Sequence, residues 1–178
     1  MKTTLAAALL VLAAAAPAVA ASDNLEMFRK VEKQVLQYPH FTIFDSVNTE
    51  IDGTVVRLTG KVTMPYKATD IERRIARIPG VTKVDNRIET LPVSQFDDEL
   101  RFRIARAIYG SAGFHMYAMQ VNPPIHVIVE RGRVTLEGVV LNHMDRIIAN
   151  VLARNFLAFD VRNALKTEAE AKAELEKI

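Results

Sequence analysis

The chain contains no cysteine. That single absence removes disulfides, a thiol nucleophile and a cysteine-linked lipid anchor, so any fold must rest on an apolar core. After the first twenty residues there is also no hydrophobic run of spanning length, which for a helix means about 20 apolar residues. Charge of one sign is lacking too. With 23 basic and 21 acidic residues the formal charge is +2, both signs are mixed along the chain, and no segment resembles a polyelectrolyte-binding tail. Catalytic signatures are equally scarce: there is no G-x-S-x-G elbow and no Walker loop. His40, His115, His126 and His143 fall singly, without the spacing of a zinc site. The Asp97-Asp98 pair sits at a predicted helix start, where the helix dipole accounts for it. The sequence therefore predicts no catalytic residue, no metal and no cofactor.

What is present begins with a leader. Lys2, the apolar run Leu5 to Ala16 and the closing Ala18-Val19-Ala20 follow the order of a secretory signal, with cleavage expected after Ala20. Loss of Lys2 lowers the formal charge from +2 to +1. Length alone does not decide between one domain and two small ones. An internal repeat does. Val31 and Phe41 recur as Ile104 and Phe114 at the same interval, and Val56-x-Leu58-x-Gly60-x-Val62 matches Val134-x-Leu136-x-Gly138-x-Val140. Val84-x-Asn86-x-Ile88 likewise matches Val161-x-Asn163-x-Leu165.

Periodicity supplies the elements. Asp23 and Glu26 suggest a capping box before Phe28, Val31 and Val35 at helical spacing. Val47, Thr49 and Ile51 alternate, Asp52-Gly53 turns, and Val55 to Val62 returns as the second strand of a hairpin. Pro65 opens a helix with Ala68, Ile71, Ile75 and Ile78 on its buried face, ended by Pro79-Gly80, and Val81 to Thr90 gives a last strand. The second copy repeats this from Asp97 to Leu165, with Leu100, Ile104, Ala107 and Ile108 on its first helix. The fold class is α+β: two tandem α-β-β-α-β units, each a three-stranded sheet with two helices on one face. The expected boundaries are a leader at 1–20, copies at 23–91 and 96–166, and a helical or frayed tail at 167–178 whose Thr167 and Glu170 suit a cap. Gly60 and Gly138 are expected to be equivalent structural glycines where the second strand turns towards the second helix.

The V-x-L-x-G-x-V core and the closing V-x-N-x-[IL] strand resemble the BON domain, over nearly all of the chain beyond the leader. A leader followed by two copies is similar to the exported branch of that family concerned with osmotic stress and outer-membrane maintenance. The resemblance implies a binding module without a cofactor, periplasmic, associated with phospholipid membranes and envelope integrity. Two departures fall in the second copy. Leu157-Ala158-Phe159 replaces the Gly80-Val81 turn, and an insertion of five residues with Asn122-Pro123-Pro124 lies between Phe114 and Gly138.

The candidate contact residues lie in that second copy. Arg101, Phe102, Arg103 and Arg106 set an aromatic ring among cations on one helix, a combination suited to anionic headgroups. The competing reading has Phe102, Ala105 and Tyr109 widening the buried face. Met116, Tyr117 and Met119, beside the insertion, form a second candidate contact, against packing under the loop. Arg73, Arg74 and Arg77 of the first copy read as a solvated face. Gly110-Ser111-Ala112-Gly113 has the G-x-x-G form of a nucleic-acid loop but no basic residues, and reads as a helix end. The partner expected is an anionic phospholipid surface or an envelope protein, not nucleic acid. A chaperone-like role is the alternative, carried by the surplus of Ile147, Ile148, Val151, Leu152, Phe156 and Leu157, should these stay exposed.

Overall fold

The two V-x-L-x-G-x-V segments become the middle strands of two small sheets. In the computed structural model, which describes residues 16–176 with side chains from Asp23, β1 (Ser46–Asp52) and β2 (Val55–Val62) form an antiparallel hairpin. Strand β3 (Lys83–Thr90) lies parallel to β2. Helix α1 (Ala16–Leu36) packs on β1, α2 (Pro65–Ile75) on β2 and β3, and the two helices touch, so both cover one face. Val31, Val35, Val56, Leu58, Val62, Ile71 and Ile75 close the core between them. Pro65 stands at the first turn of α2, where its missing N–H costs nothing.

The second copy repeats the plan with α3 (Gln95–Tyr109), β4 (Ile125–Glu130), β5 (Arg133–Val140), α5 (His143–Arg154) and β6 (Asp160–Asn163). The insertion forms a 3-10 turn (Ala112–Phe114), a single helical turn α4 (His115–Ala118) and a loop into β4. The last strand breaks in two: β7 (Lys166–Thr167) joins β6 alongside β5, and α6 (Glu168–Leu175) follows with Thr167 and Glu170 in a complete capping box. The α+β fold of two tandem units read from the sequence is the one that forms.

The repeat extends to register. Val56 pairs with Val84 and Leu58 with Asn86; in the second copy Val134 pairs with Val161 and Leu136 with Asn163. The Asn of each closing motif has a specific task. Asn86 Nδ2 donates to the Ala68 carbonyl (3.1 Å) and its Oδ1 accepts from Ile88 N (3.1 Å). Asn163 does the same with Arg146 (2.9 Å) and Leu165 (3.2 Å), so one amide ties the last strand to the second helix in both copies. Gly60 (φ 128°) and Gly138 (φ 115°) lie inside β2 and β5 rather than at their ends. A Cβ there would collide with the carbonyl of Ser46 or Pro124, so these glycines permit a close strand crossing.

One expectation at the amino terminus fails. Helix α1 already includes Ala20 and Ala21, so Asp23 lies within a helix instead of capping it, because the alanines just before it are strongly helix-forming. Lys2 and most of the apolar run of the expected leader lie outside the described residues.

The two copies also touch. The loop 41–45 of the first copy lies on the edge of the second sheet, where the Ile43 carbonyl accepts from Val127 N (2.7 Å) and Ile43 and Phe44 pack against the second core. Lys61 pairs with Glu130, Ser46 hydrogen-bonds Glu137, and the Phe41 ring meets His126 at 5.4 Å.

Candidate functional site

Helix α3 begins at the Ser94 cap, whose hydroxyl accepts from Asp97 N (3.2 Å), and turns Leu100, Ile104, Ala105 and Ile108 into the core. Asp97 is more than a dipole partner. Its buried carboxylate accepts the N–H groups of Arg131 (2.8 Å) and Gly132 (2.7 Å), the two positive-φ residues at the tip of the β4–β5 hairpin, and so latches that turn to the start of α3.

The four residues expected to form an exposed patch separate. Arg101 is only 4% exposed, pairs with Asp98 (2.8 Å) and donates to the Val129 carbonyl (3.1 Å). It is therefore a tie from α3 to the edge strand and no surface contact; its position next to Leu100 aims it at β4. Its Nε is buried without a partner among the described residues. Phe102 is 62% exposed, while Ala105 and Tyr109 turn inward, so the competing reading holds for those two but not for the ring. Tyr109 exchanges hydrogen bonds with Ile125, donating to its carbonyl (2.6 Å) and accepting from its N–H (2.9 Å), and burial pushes its hydroxyl well above the usual phenol range. Arg103 and Arg106 are exposed, the former held loosely by Glu99 (3.8 Å).

Phe102 does not stand alone. The Phe44 ring of the first copy meets it edge to face, with centroids 4.8 Å apart and planes at 74°. Ile43, Phe44, Phe102, Ala105 and Tyr109 line a shallow depression of about 870 Å³, largely apolar, with Arg103 and Arg106 beside Asp98 and Glu99 among its charged groups. The contribution of Ile43 and Phe44 was invisible in the sequence, because only the docking of the two copies brings them there.

The second expected contact also divides. Tyr117 is buried against Phe114 (centroids 5.5 Å), accepts from Leu141 N (2.8 Å) and donates to Asp145 (2.6 Å). Burial, with Asp145 beside it, raises its hydroxyl to about 12. Tyr117 is thus a core peg and is corrected as a contact residue, whereas Met116 and Met119 on either side are exposed. The peg pins α4 against the start of α5. There Leu141, Met144, Ile147, Ile148 and Val151 are exposed, as is Leu157 beyond the helix, while Leu152 and Phe156 are partly buried.

On the first copy, Arg73 meets Asp70 (3.6 Å) and Arg77 is solvated, but Arg74 donates to the Gln34 carbonyl (3.2 Å) and lies over the Tyr38 ring (5.7 Å). Arg74 is therefore a structural tie between α2 and α1, contrary to its reading as solvated. A second cleft of about 910 Å³ opens between the two sheets, lined by Lys61, Arg87, Arg131, Arg133 and Arg162 together with Glu89, Glu130 and Glu137. Lys61 is paired with Glu130 there. Among the described residues no helix is long and apolar enough to cross a membrane, and no three metal-ligating side chains converge.

The chain matches the BON domain family over residues 27–92 and again over 97–169. Comparison with curated proteins finds no match. Among solved structures, CdsD of Chlamydia trachomatis, described as a structural protein of the type III secretion system, is similar at 12% identity over 84% of this chain and 97% of that one, with a TM-score of 0.31. The C-terminal domain of CdsD is similar at 10% identity over 80% and 98%, with a TM-score of 0.30.

Proposed function

Because the chain belongs to the BON domain family, a non-catalytic family associated with phospholipid binding, we propose that it is a binding protein of the bacterial envelope that attaches to anionic phospholipid surfaces. On this reading the leader directs it to the periplasm and is removed after Ala20, and membrane attachment supports envelope integrity under stress. The observation that carries the reading is Phe102, exposed beside Phe44 and flanked by the unburied Arg103 and Arg106. Burial of such a ring at the headgroup boundary contributes up to roughly 2 kcal/mol, and each nearby arginine about 1 kcal/mol of salt-sensitive attraction.

Sedimentation with neutral and anionic vesicles tests this. Phe102→Ser is expected to weaken binding at all salt concentrations, and Arg103→Ser with Arg106→Ser to remove the preference for anionic lipid, since screening acts on that component alone. Exchange of Arg73 and Arg77 in the first copy is the matched control. Equal loss from both arginine pairs would replace the site by diffuse charge attraction. A chaperone-like role remains the second reading, favoured by the exposed Ile147, Ile148, Val151 and Leu157. Suppression of client aggregation by a variant that no longer binds vesicles would favour it.

A further inference from the structure

Helices α2 and α5 start at the same interval after Gly60 and Gly138, which allows a position-by-position comparison. The inward pair Ile71 and Ile75 of α2 becomes Ala149 and Ala153 in α5, all fully buried. The outward set Tyr66, Thr69, Asp70 and Arg73 becomes Met144, Ile147, Ile148 and Val151. The second copy fills its core with Phe114 and Tyr117 and takes Ala149, Ala153 and the partly buried Leu152 from α5, yet this helix keeps four further large apolar side chains on the water side. Their exposures are 61%, 42%, 37% and 54%. A surface helix ordinarily does the opposite.

From Met144 the four follow the i, i+3, i+4, i+7 spacing, so they form one continuous stripe with Leu141 at its head. The outer face of α5 bears no acid. Asp145 is turned to Tyr117 and Asn142, and the stripe is flanked by His143, Asn150 and Arg154. Helix α3 lies beside α5 on the same sheet, over β4 where α5 lies over β5 and β6, and carries the exposed Arg106 and Arg103, the latter with Glu99 at 3.8 Å. Met116 and Met119 adjoin through the Tyr117 peg. A lipid surface requires no matching shape, only apolar area and complementary charge.

We infer that α5 lies in the plane of an anionic phospholipid membrane and inserts Met144, Ile147, Ile148 and Val151 among the acyl chains, making the lipid contact a two-helix surface. This rests on the phospholipid reading above and extends it from the Phe102 depression to a second element.

The chain has neither tryptophan nor cysteine, so one introduced tryptophan reports alone. In the full chain, Val151→Trp, its first-copy counterpart Arg73→Trp, and Phe102→Trp are each mixed with phosphatidylglycerol vesicles carrying brominated acyl chains. Val151→Trp and Phe102→Trp are expected to shift to the blue and be quenched, and Arg73→Trp to stay unchanged. Ile147→Ser with Val151→Ser, both at exposed positions, is expected to weaken partitioning about tenfold or more at an unchanged melting temperature. Sedimentation and Phe102→Trp quenching without Val151→Trp quenching would overturn the α5 insertion and leave the phospholipid reading standing. Failure of the unaltered chain to bind any vesicle would overturn both. A blue shift of Val151→Trp that grows with protein concentration in the absence of lipid would make the stripe a contact between copies and overturn the insertion.

Discussion

The same backbone group is satisfied in two chemically different ways in the two copies. The N–H that follows the middle strand belongs to Thr63 in one and Leu141 in the other. In the first copy it donates to Asp45 (2.7 Å), a buried carboxylate that also takes the Lys67 ammonium (2.6 Å) and the hydroxyls of Thr42 (2.7 Å) and Thr63 (2.8 Å). In the second it donates to the Tyr117 hydroxyl, which in turn reaches Asp145, the positional counterpart of Lys67. Burial alone would raise the Asp45 carboxyl; the Lys67 ammonium, the Thr63 N–H and the two hydroxyls outweigh it and hold it below the usual carboxylate range. The first copy thus closes its loop with a desolvated ion pair. The second closes it with a neutral aromatic that also fills the core, and Met144, Ile147, Ile148 and Val151 of α5 are left outside.

That contrast sets the order of expected effects. Asp45→Ala strands the Lys67 ammonium in a buried site and is expected to cost about 3–5 kcal/mol, read as a lower melting transition of the first copy. Gly60→Val and Gly138→Val force a Cβ into a carbonyl at positive φ, each costing about 2–3 kcal/mol in its own copy. If one copy tolerated its substitution, the equivalence of the two glycines would be broken. Tyr117→Phe leaves the Leu141 N–H unmatched but Asp145 still bonded to Asn142, so a loss of about 1–2 kcal/mol is expected by denaturant unfolding. A loss as large as that of Asp45→Ala would mean that the neutral peg and the ion pair do equal work.

How far each of these sites was legible depends on the range of the forces involved. The strand motifs could be read directly, because period-two burial is written locally, and Gly60 and Gly138 were legible as an equivalent pair; that they sit inside the strands against the Ser46 and Pro124 carbonyls, and not at a turn, was not. The α5 surplus was legible as a surplus, since a small core holds only so many side chains, but its direction was not. Arg101 was misread because helical spacing places it near the stripe without revealing the Val129 carbonyl within its reach. Asp97 read as a partner of the helix dipole until the hairpin tip, distant in sequence, supplied two N–H groups. Phe44 joined Phe102 only through the contact between copies, which no periodicity encodes.

That contact supplies the smallest expected effect. His126, on β4, faces Phe41 and the loop 42–45 of the first copy, and its Nδ1 is buried without a partner among the described residues. Burial lowers its pKa, against the opposing pull of the Asp45 and Thr42 backbone and of the Asp45 and Glu137 charges. With the folded value below the ordinary imidazole value of about 6.5, the unfolded chain binds more protons between the two. Stability from this residue is therefore complete above about pH 6.5 and declines as the pH falls towards the folded value. Asp45 acts in a separate window: its depressed carboxyl keeps its contribution until the pH drops below the ordinary aspartate value of about 4. Denaturant unfolding across this range is expected to show a shallow loss beginning near pH 6.5 and a steeper one below about pH 4. His126→Phe, which keeps a ring against Phe41 but cannot be protonated, is expected to abolish the first and leave the second. If the first loss survived that substitution, the contact between copies would not sense protons through His126.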